Sequence, residues 1–154
     1  MSGETTALAR RFKVDIDTNW PATPPVWNPL LGITDFKPGV APTLQDASDY
    51  DNDGWVGQEK TQQAWTATAT YLRKKNQAGQ FPVAQEYLRA AEDQFGDEAR
   101  AHIRWYDRDG GDEAYEGYGI VGLERANSGV TDLDAVTATI TGDGARTPIA
   151  NPLA

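Results

Sequence analysis

The stretch that most restricts the fold is TQQAWTATATYLRKK, residues 61–75, because apolar residues alternate in it with threonine. Four alternate positions are apolar: Trp65, Ala67, Ala69 and Tyr71. The positions between them are threonines: Thr66, Thr68 and Thr70. Successive side chains of a β-strand point to opposite faces, so this pattern predicts a strand with one face against the core and one threonine face.

Similar alternation predicts further strands. Three segments show it: RRFKVDIDTN (residues 10–19), EARAHIRWYD (98–107) and LDAVTATITGDG (133–144). LLGITDFK (30–37) is predicted as a shorter strand. EAYEGYGIVGLER, residues 113–125, is a further strand whose glycines at 117, 119 and 122 indicate bends or close backbone approach. Residues 19–29 contain four prolines and are predicted as an extended loop.

One segment, at about residues 82–95, is predicted to be helical. Pro82 suits the first helical position and Gly96 the position beyond the end. Its apolar residues share one face at helical spacing: Ala84, Leu88, Ala91 and Phe95. The chain is therefore predicted to be mainly β, a β-sandwich or barrel-like arrangement of about six antiparallel strands with one flanking α-helix.

The length of 154 residues fits a single domain spanning 1–154. There is no cysteine, which excludes disulfides and thiolate metal sites. The sequence opens with no charged-then-apolar leader and has no apolar run of membrane-spanning length, so neither a secretion signal nor a membrane partner is expected. The formal net charge of −9 argues against ordinary nucleic-acid binding, and residues 42–60 and 107–116 each carry −4 of it.

Residues 38–60 show no convincing periodicity and are predicted to form a long acidic loop, which in a compact domain is normally functional or disordered. Within it, DYDNDGWVGQEK resembles a calcium-binding loop. Position twelve of that motif should be a bidentate glutamate, but counting from Asp49 it is Lys60. A solvated acidic turn is the favoured interpretation, and a non-helical calcium site is the alternative.

No catalytic constellation is evident, and no cofactor or metal ion is expected. His102 is the only histidine; it lies in mid-strand between apolar residues and is predicted to be a surface or interface residue. No Gly-x-Ser-x-Gly motif accompanies it. The DRDGGDEAYEG segment, residues 107–117, carries the glycines of a hairpin turn. Trp20 and Trp27 flank the proline-rich loop, where exposed aromatic rings would suit sugar stacking.

Taken in order, several segments resemble the major tail tube protein of long, non-contractile-tailed bacteriophages. The resemblance rests on WNPLLGITDFKP, on DYDNDGW leading into AWTATATYLRK, on the central helix, and on YDRDGGDEAYEGYGIVGLE followed by VTATITGDG. It covers nearly the whole chain, although none of these strings is diagnostic alone.

The resemblance implies a structural virion protein and not an enzyme. Its subunits would form hexameric rings that stack into a tube, a negatively charged conduit through which DNA is ejected without specific binding. The implied partners are further copies of the chain and the tail tip, tape measure and tail terminator proteins, with assembly in the host cytoplasm and final location in the virion. The alternative function is an acidic carbohydrate-binding β-sandwich module, with or without calcium.

The resemblance also assigns roles to segments of this sequence. An N-terminal arm at about residues 1–9 and a C-terminal arm at about 143–154 would become ordered on assembly. The long loop would stack rings together, through Asp46, Asp49, Asp51, Asp53, Trp55 and Glu59. Glu116 is a candidate lumen charge. The basic residues expected to pair with acidic loops of neighbouring subunits are Arg10, Arg11, Arg73, Lys74 and Lys75.

Overall fold

A computed structural model describes residues 4–153, which form eight strands and one α-helix. The strands are β1 (Phe12–Asp17), β2 (Trp27–Pro29), β3 (Ile33–Asp46), β4 (Gln58–Leu72), β5 (Arg100–Asp107), β6 (Ala114–Arg125), β7 (Ala135–Gly142) and β8 (Thr147–Pro148). The helix α1 (Val83–Ala91) lies between β4 and β5. The predicted class, mainly antiparallel β with one flanking helix, is confirmed. Within the described residues no helix has the length and apolar character needed to cross a bilayer.

The strands form one antiparallel sheet in the order β2-β1-β5-β6-β7-β4-β3, with β8 paired to β6. The edge strands β2 and β3 lie at opposite ends of this order, yet only residues 30–32 connect them. Three residues span roughly 10 Å at most, so the two edges must lie close together. The rings of Phe12 on β1 and Phe36 on β3 are 6.2 Å apart, which shows that the sheet rolls up on itself like a barrel.

The apolar face predicted for β4 forms the centre of this rolled sheet. All four alternating apolar residues from Trp65 to Tyr71 are buried. On the other face, the hydroxyl groups of Thr70 and Thr137 are 3.1 Å apart across the β4–β7 pair. Gly117 lies against the indole of Trp65, where an added Cβ would come within 2.7 Å of Cζ2. The predicted close backbone approach is therefore confirmed at this glycine.

The helix is shorter than predicted and closes one end of the roll. It ends at Ala91, and Phe95, expected on the buried face, is 92% exposed. Glu92 and Asp93 follow directly, and negative charge at a helix C-terminus opposes the helix dipole. The side-chain amide of Gln85 donates hydrogen bonds to the backbone carbonyls of residues 31 and 72, at 2.9 and 3.1 Å, which fixes α1 across the strand ends.

The prediction of an aperiodic loop over residues 38–60 is wrong as secondary structure. β3 continues to Asp46 and β4 begins at Gln58, so only residues 47–57 form a loop. The two strands pair with each other out to Asp46–Gln58, which satisfies the backbone groups that face the partner strand without any contact with the core. Since β3 has a partner on one side only, Pro38 and Pro42 are tolerated in it.

The two terminal segments differ from each other, and the ordering of both arms on assembly stays a prediction. Residues 1–3 and 154 lie outside the described part of the chain, and residues 4–8 have no regular structure. The C-terminal segment is docked in the single chain: β8 pairs with Tyr115 and Glu116 of β6. The amide of Asn151 donates to the carbonyls of Asp107 and Gly111, at 2.8 and 2.7 Å. This segment therefore continues the sheet where β7 ends.

Candidate assembly surfaces

The paired ends of β3 and β4, with the loop that joins them, project from the rolled sheet. We call residues 40–64 the arm; none of them is buried. The first seven residues of β4, 58–64, precede its first buried residue, Trp65. They span about 23 Å at about 3.3 Å per residue. An arm of this length contributes nothing to the core of its own chain.

The arm exposes a set of large apolar side chains: Val40, Leu44, Tyr50, Trp55 and Val56. Trp55, next to the acidic tip, is 77% exposed. Several exposed large apolar residues in one segment are typical of an interaction surface. Sequence reasoning selected Trp55 but missed Val40, Leu44, Tyr50 and Val56. For the two residues on β3, alternation at residues 40, 42 and 44 was the available signal, and the prolines of β3 obscured it.

The carboxylates of the arm shape its tip. Asp46 accepts a hydrogen bond from the backbone N–H of Ser48 at 2.8 Å, and the side-chain and backbone hydrogen bonds of Ser48 hold the pKa of the Asp46 carboxyl below its ordinary value. Asp49 accepts from the N–H of Asp51 at 3.0 Å. Asp53 adopts the left-handed conformation, with φ 51°, as aspartate can in tight turns.

All six residues predicted for ring stacking lie within residues 46–59 of the arm, and all are exposed. Glu59, on β4, lies opposite Gln45 of β3. Within residues 4–153, no group of three or more acidic, histidine or cysteine side chains is arranged to hold a metal ion.

The basic residues predicted to meet neighbouring subunits divide into two groups. Arg11 and Arg73 pair with carboxylates of their own chain, and their contact with neighbouring subunits stays a prediction. The guanidinium of Arg11 pairs with Glu113 at 2.6 Å and Asp107 at 2.9 Å, and these hydrogen bonds raise its pKa. Arg73, with a side chain only 6% exposed, pairs with Glu86 at 2.7 Å. The acidic turn after β5 therefore pairs with Arg11 of its own chain.

The remaining three basic residues, Arg10, Lys74 and Lys75, are exposed. The ammonium group of Lys75 lies 5.4 Å from the ring centroid of Phe81. No ion pair joins Lys74 or Lys75 to any residue between 4 and 153. These two lysines are free to meet a partner.

Glu116 belongs to a charged cluster that the sequence did not reveal. His102 is 5% exposed, so the prediction of a surface residue is wrong, and its alternative, an interface residue, stays a prediction. Its Nδ1 lies 3.1 Å from Asp17 and its Nε2 lies 3.3 Å from Glu116. The Asp17 carboxylate also accepts from the N–H groups of Asn19 and Val26, at 2.8 and 3.0 Å. The cluster ties β1, β5 and β6 together on the outer side of the sheet.

The tryptophans considered for sugar stacking cover this cluster. Trp27 lies 4.6 Å from the imidazole of His102, and Tyr118 stacks on the other side at 4.3 Å between ring centroids. Trp20 lies 4.7 Å from Tyr118, and its Nε1 donates to the carbonyl of Asp97 at 2.9 Å. The proline-rich segment thereby packs on the sheet, and its two half-buried indole rings lie over the His102 cluster.

No family model matches this sequence, and no curated protein matches it. Solved structures do match. The tail of an empty gene transfer agent particle with C6 symmetry aligns with a TM-score of 0.71 at 10% identity, covering 94% of this chain and 100% of the other. The virion of a native gene transfer agent particle aligns at 0.68 and 10% identity, with the same coverage. The SPP1 tail tube, determined by solid-state NMR and cryo-EM, aligns at 0.68 and 14%, covering 96% of this chain and 83% of the other.

At such low identity these likenesses establish the fold. The arrangement of strands and helix described above is that of tail and tail tube chains across almost the entire sequence. The predicted resemblance in fold to phage tail tube proteins is confirmed.

Proposed function

We propose that this chain is the repeating structural subunit of a phage-type tail tube, in which hexameric rings stack around a conduit for DNA ejection. The observation that carries the proposal is the arm: residues 40–64 expose Trp55 and four other large apolar residues that no part of the described chain covers. The likeness to a tail with C6 symmetry and to a tail tube supports six-fold rings.

Rings require contact between the sides of neighbouring subunits. Among the strands of residues 4–153, β3 has no partner on its outer edge, and β2 has none at the other end of the sheet order. A free edge offers unpaired N–H and C=O groups that a neighbouring chain can complete. We assign ring closure to these edges and ring stacking to the arm.

The charge of the chain suits a conduit. Six copies at −9 each would carry −54. Within a Debye length of about 8 Å at physiological salt, a negative wall repels DNA phosphates, so that DNA passes without adhering. Glu116, whose side chain is 35% exposed on the outer side of the sheet, remains the candidate lumen charge.

In this role the chain acts by assembly and has no catalytic step. Its partners are other copies of itself and, at the tube ends and in the lumen, tail tip, terminator and tape measure proteins. It assembles in the host cytoplasm and resides in the virion, with no membrane partner.

Negative-stain electron microscopy of the purified full chain tests the proposal, on fresh protein and after prolonged concentration, with and without calcium. Hollow tubes or six-fold rings in calcium-free buffer are the expected result. Particles that remain monomeric in every condition, including when seeded with sonicated material from the most concentrated sample, would contradict it. A calcium-dependent change without tubes would direct attention to residues 49–60 and to the carbohydrate-binding alternative.

A further inference from the structure

A cleft lies at the end of the β3–β4 pair opposite the arm tip. It has a volume of about 320 Å³ and apolar walls formed by Leu31, Leu72 and Pro82. Leu31 is 54% exposed there, although it follows directly on the buried Leu30. Lys74 and Lys75 line the same cleft. A cleft lined by apolar residues and by two lysines that form no ion pair within residues 4–153 fits a partner that is both apolar and anionic.

The arm tip has that combination of properties. Residues 42–60 carry five acids against one lysine, a net charge of −4. Beside the carboxylates of Asp51 and Asp53 stands the exposed ring of Trp55. Pockets that accept a single anchoring aromatic side chain, rimmed by polar groups, are typical of protein interfaces.

The tip and the cleft are at opposite ends of the same two strands. Ile33 pairs with Tyr71 at the cleft end, and Asp46 pairs with Gln58 at the tip end. These pairs are thirteen residues apart along β3, or about 40 Å at about 3.3 Å per residue. The tip therefore cannot reach the cleft of its own chain. It can reach the cleft of a second copy placed end to end with the first.

We propose that the cleft formed by Leu31, Leu72, Pro82, Lys74 and Lys75 receives the arm tip of a second copy of this chain. The indole of Trp55 enters the apolar part, and the carboxylates of Asp51 and Asp53 meet the two lysines. A contact between two different surfaces of identical chains is heterologous, and where its rotation does not close into a ring it repeats along one axis, which is the geometry of a stack. This inference rests on the proposed tail tube function and identifies the receiving surface for ring stacking.

The test uses charge reversal in the full chain. The variants K74E/K75E and D51K/D53K each place like charges at the contact, and each is expected to raise the protein concentration needed for assembly about tenfold or more. The quadruple variant restores opposite charges and the wild-type net charge, and it is expected to assemble like wild type. The conservative control K74R/K75R is also expected to assemble, because it retains both cations.

Light scattering and electron microscopy measure assembly, and circular dichroism melting establishes that each variant folds. Assembly of K74E/K75E at the wild-type concentration would overturn the inference while leaving the tail tube function intact. Loss of assembly in both double variants without recovery in the quadruple variant would place tip and cleft in different contacts and also overturn it. A wild-type chain that never assembles would instead count against the tail tube function itself, and the inference would fall with it.

Discussion

Trp65 of β4 and Trp105 of β5 meet inside the rolled sheet with their ring centroids 5.5 Å apart. Two strands, β6 and β7, lie between β5 and β4 in the sheet order, so this contact spans the interior. Phe36 of β3 lies 6.0 Å from Trp105 and brings the far edge of the sheet to the same point. The aromatic contact is therefore where the two halves of the roll join.

Removal of this contact should destabilise the monomer strongly. Trp105 is 1% exposed, and Trp105→Ala is expected to lower the free energy of unfolding by about 3–5 kcal/mol, because a large side chain leaves a cavity. Urea denaturation followed by circular dichroism measures it. Phe95→Ala, at a 92% exposed position, is the control and should change stability by less than about 0.5 kcal/mol. Equal losses in the two variants would contradict the assigned core.

A second prediction concerns two glycines on the same strand. A Cβ at Gly117 would meet the Trp65 ring at 2.7 Å, whereas at Gly122 its nearest neighbour is the Thr139 carbonyl at 3.9 Å. Gly117→Ala is expected to cost about 1–3 kcal/mol of unfolding free energy through overpacking. Gly122→Ala should be neutral or slightly stabilising, since alanine loses less backbone entropy. Chemical denaturation measures the unfolding free energy of both variants. Similar values for the two would contradict the prediction and show that the Trp65 ring moves aside at little cost.

The parts of this fold that follow from local pattern were predictable. The buried face of β4 from Trp65 to Tyr71 was predictable because successive side chains of a strand point to opposite faces and one of these faces is buried. The buried position of Asp17 was not, because its partner His102 is 85 residues away in the sequence and no periodicity connects them. Likewise, the ion pair between Arg73 and Glu86 could not be predicted, because α1 brings the two residues together only in the folded chain.

The arm was missed as a pair of strands for a different reason. Periodicity records burial, and from Val40 to Asp46 neither face of β3 is buried. Its length and lack of periodicity still marked the segment as functional or disordered, and the resemblance to tail tube proteins, not composition, assigned its acids and Trp55 to ring stacking. The receiving cleft at Leu31 could not be predicted, because the β2–β3 connection, the end of β4 and the start of α1 meet only in three dimensions.

The stability of the chain should depend on pH through Glu86. Hydrogen bonds from Arg89 and Arg73 lower the pKa of the Glu86 carboxyl. The ionised group therefore stabilises the fold at a pH above its unfolded pKa, about 4.3, and this contribution is lost as the pH falls through the lower folded value. Between pH 7 and pH 3, the stability difference between wild type and Glu86→Gln should shrink. Val83→Ala, exposed on the same helix, should follow the wild-type profile. Urea midpoints at each pH provide the comparison, and a constant difference for Glu86→Gln would contradict this assignment.

Trp55 should matter to assembly and not to the fold. Because its side chain is 77% exposed on the arm, Trp55→Ala is expected to leave the melting temperature of the monomer unchanged. A tryptophan anchoring an interface typically contributes about 2 kcal/mol, or roughly thirtyfold in the association constant, so the concentration needed for assembly should rise by a similar factor. Light scattering against concentration measures that threshold. Val130→Ala, fully exposed outside the arm, should leave it unchanged. Normal assembly of Trp55→Ala would remove the indole from the stacking contact, and a large drop in monomer melting temperature would mean that the ring packs within its own chain.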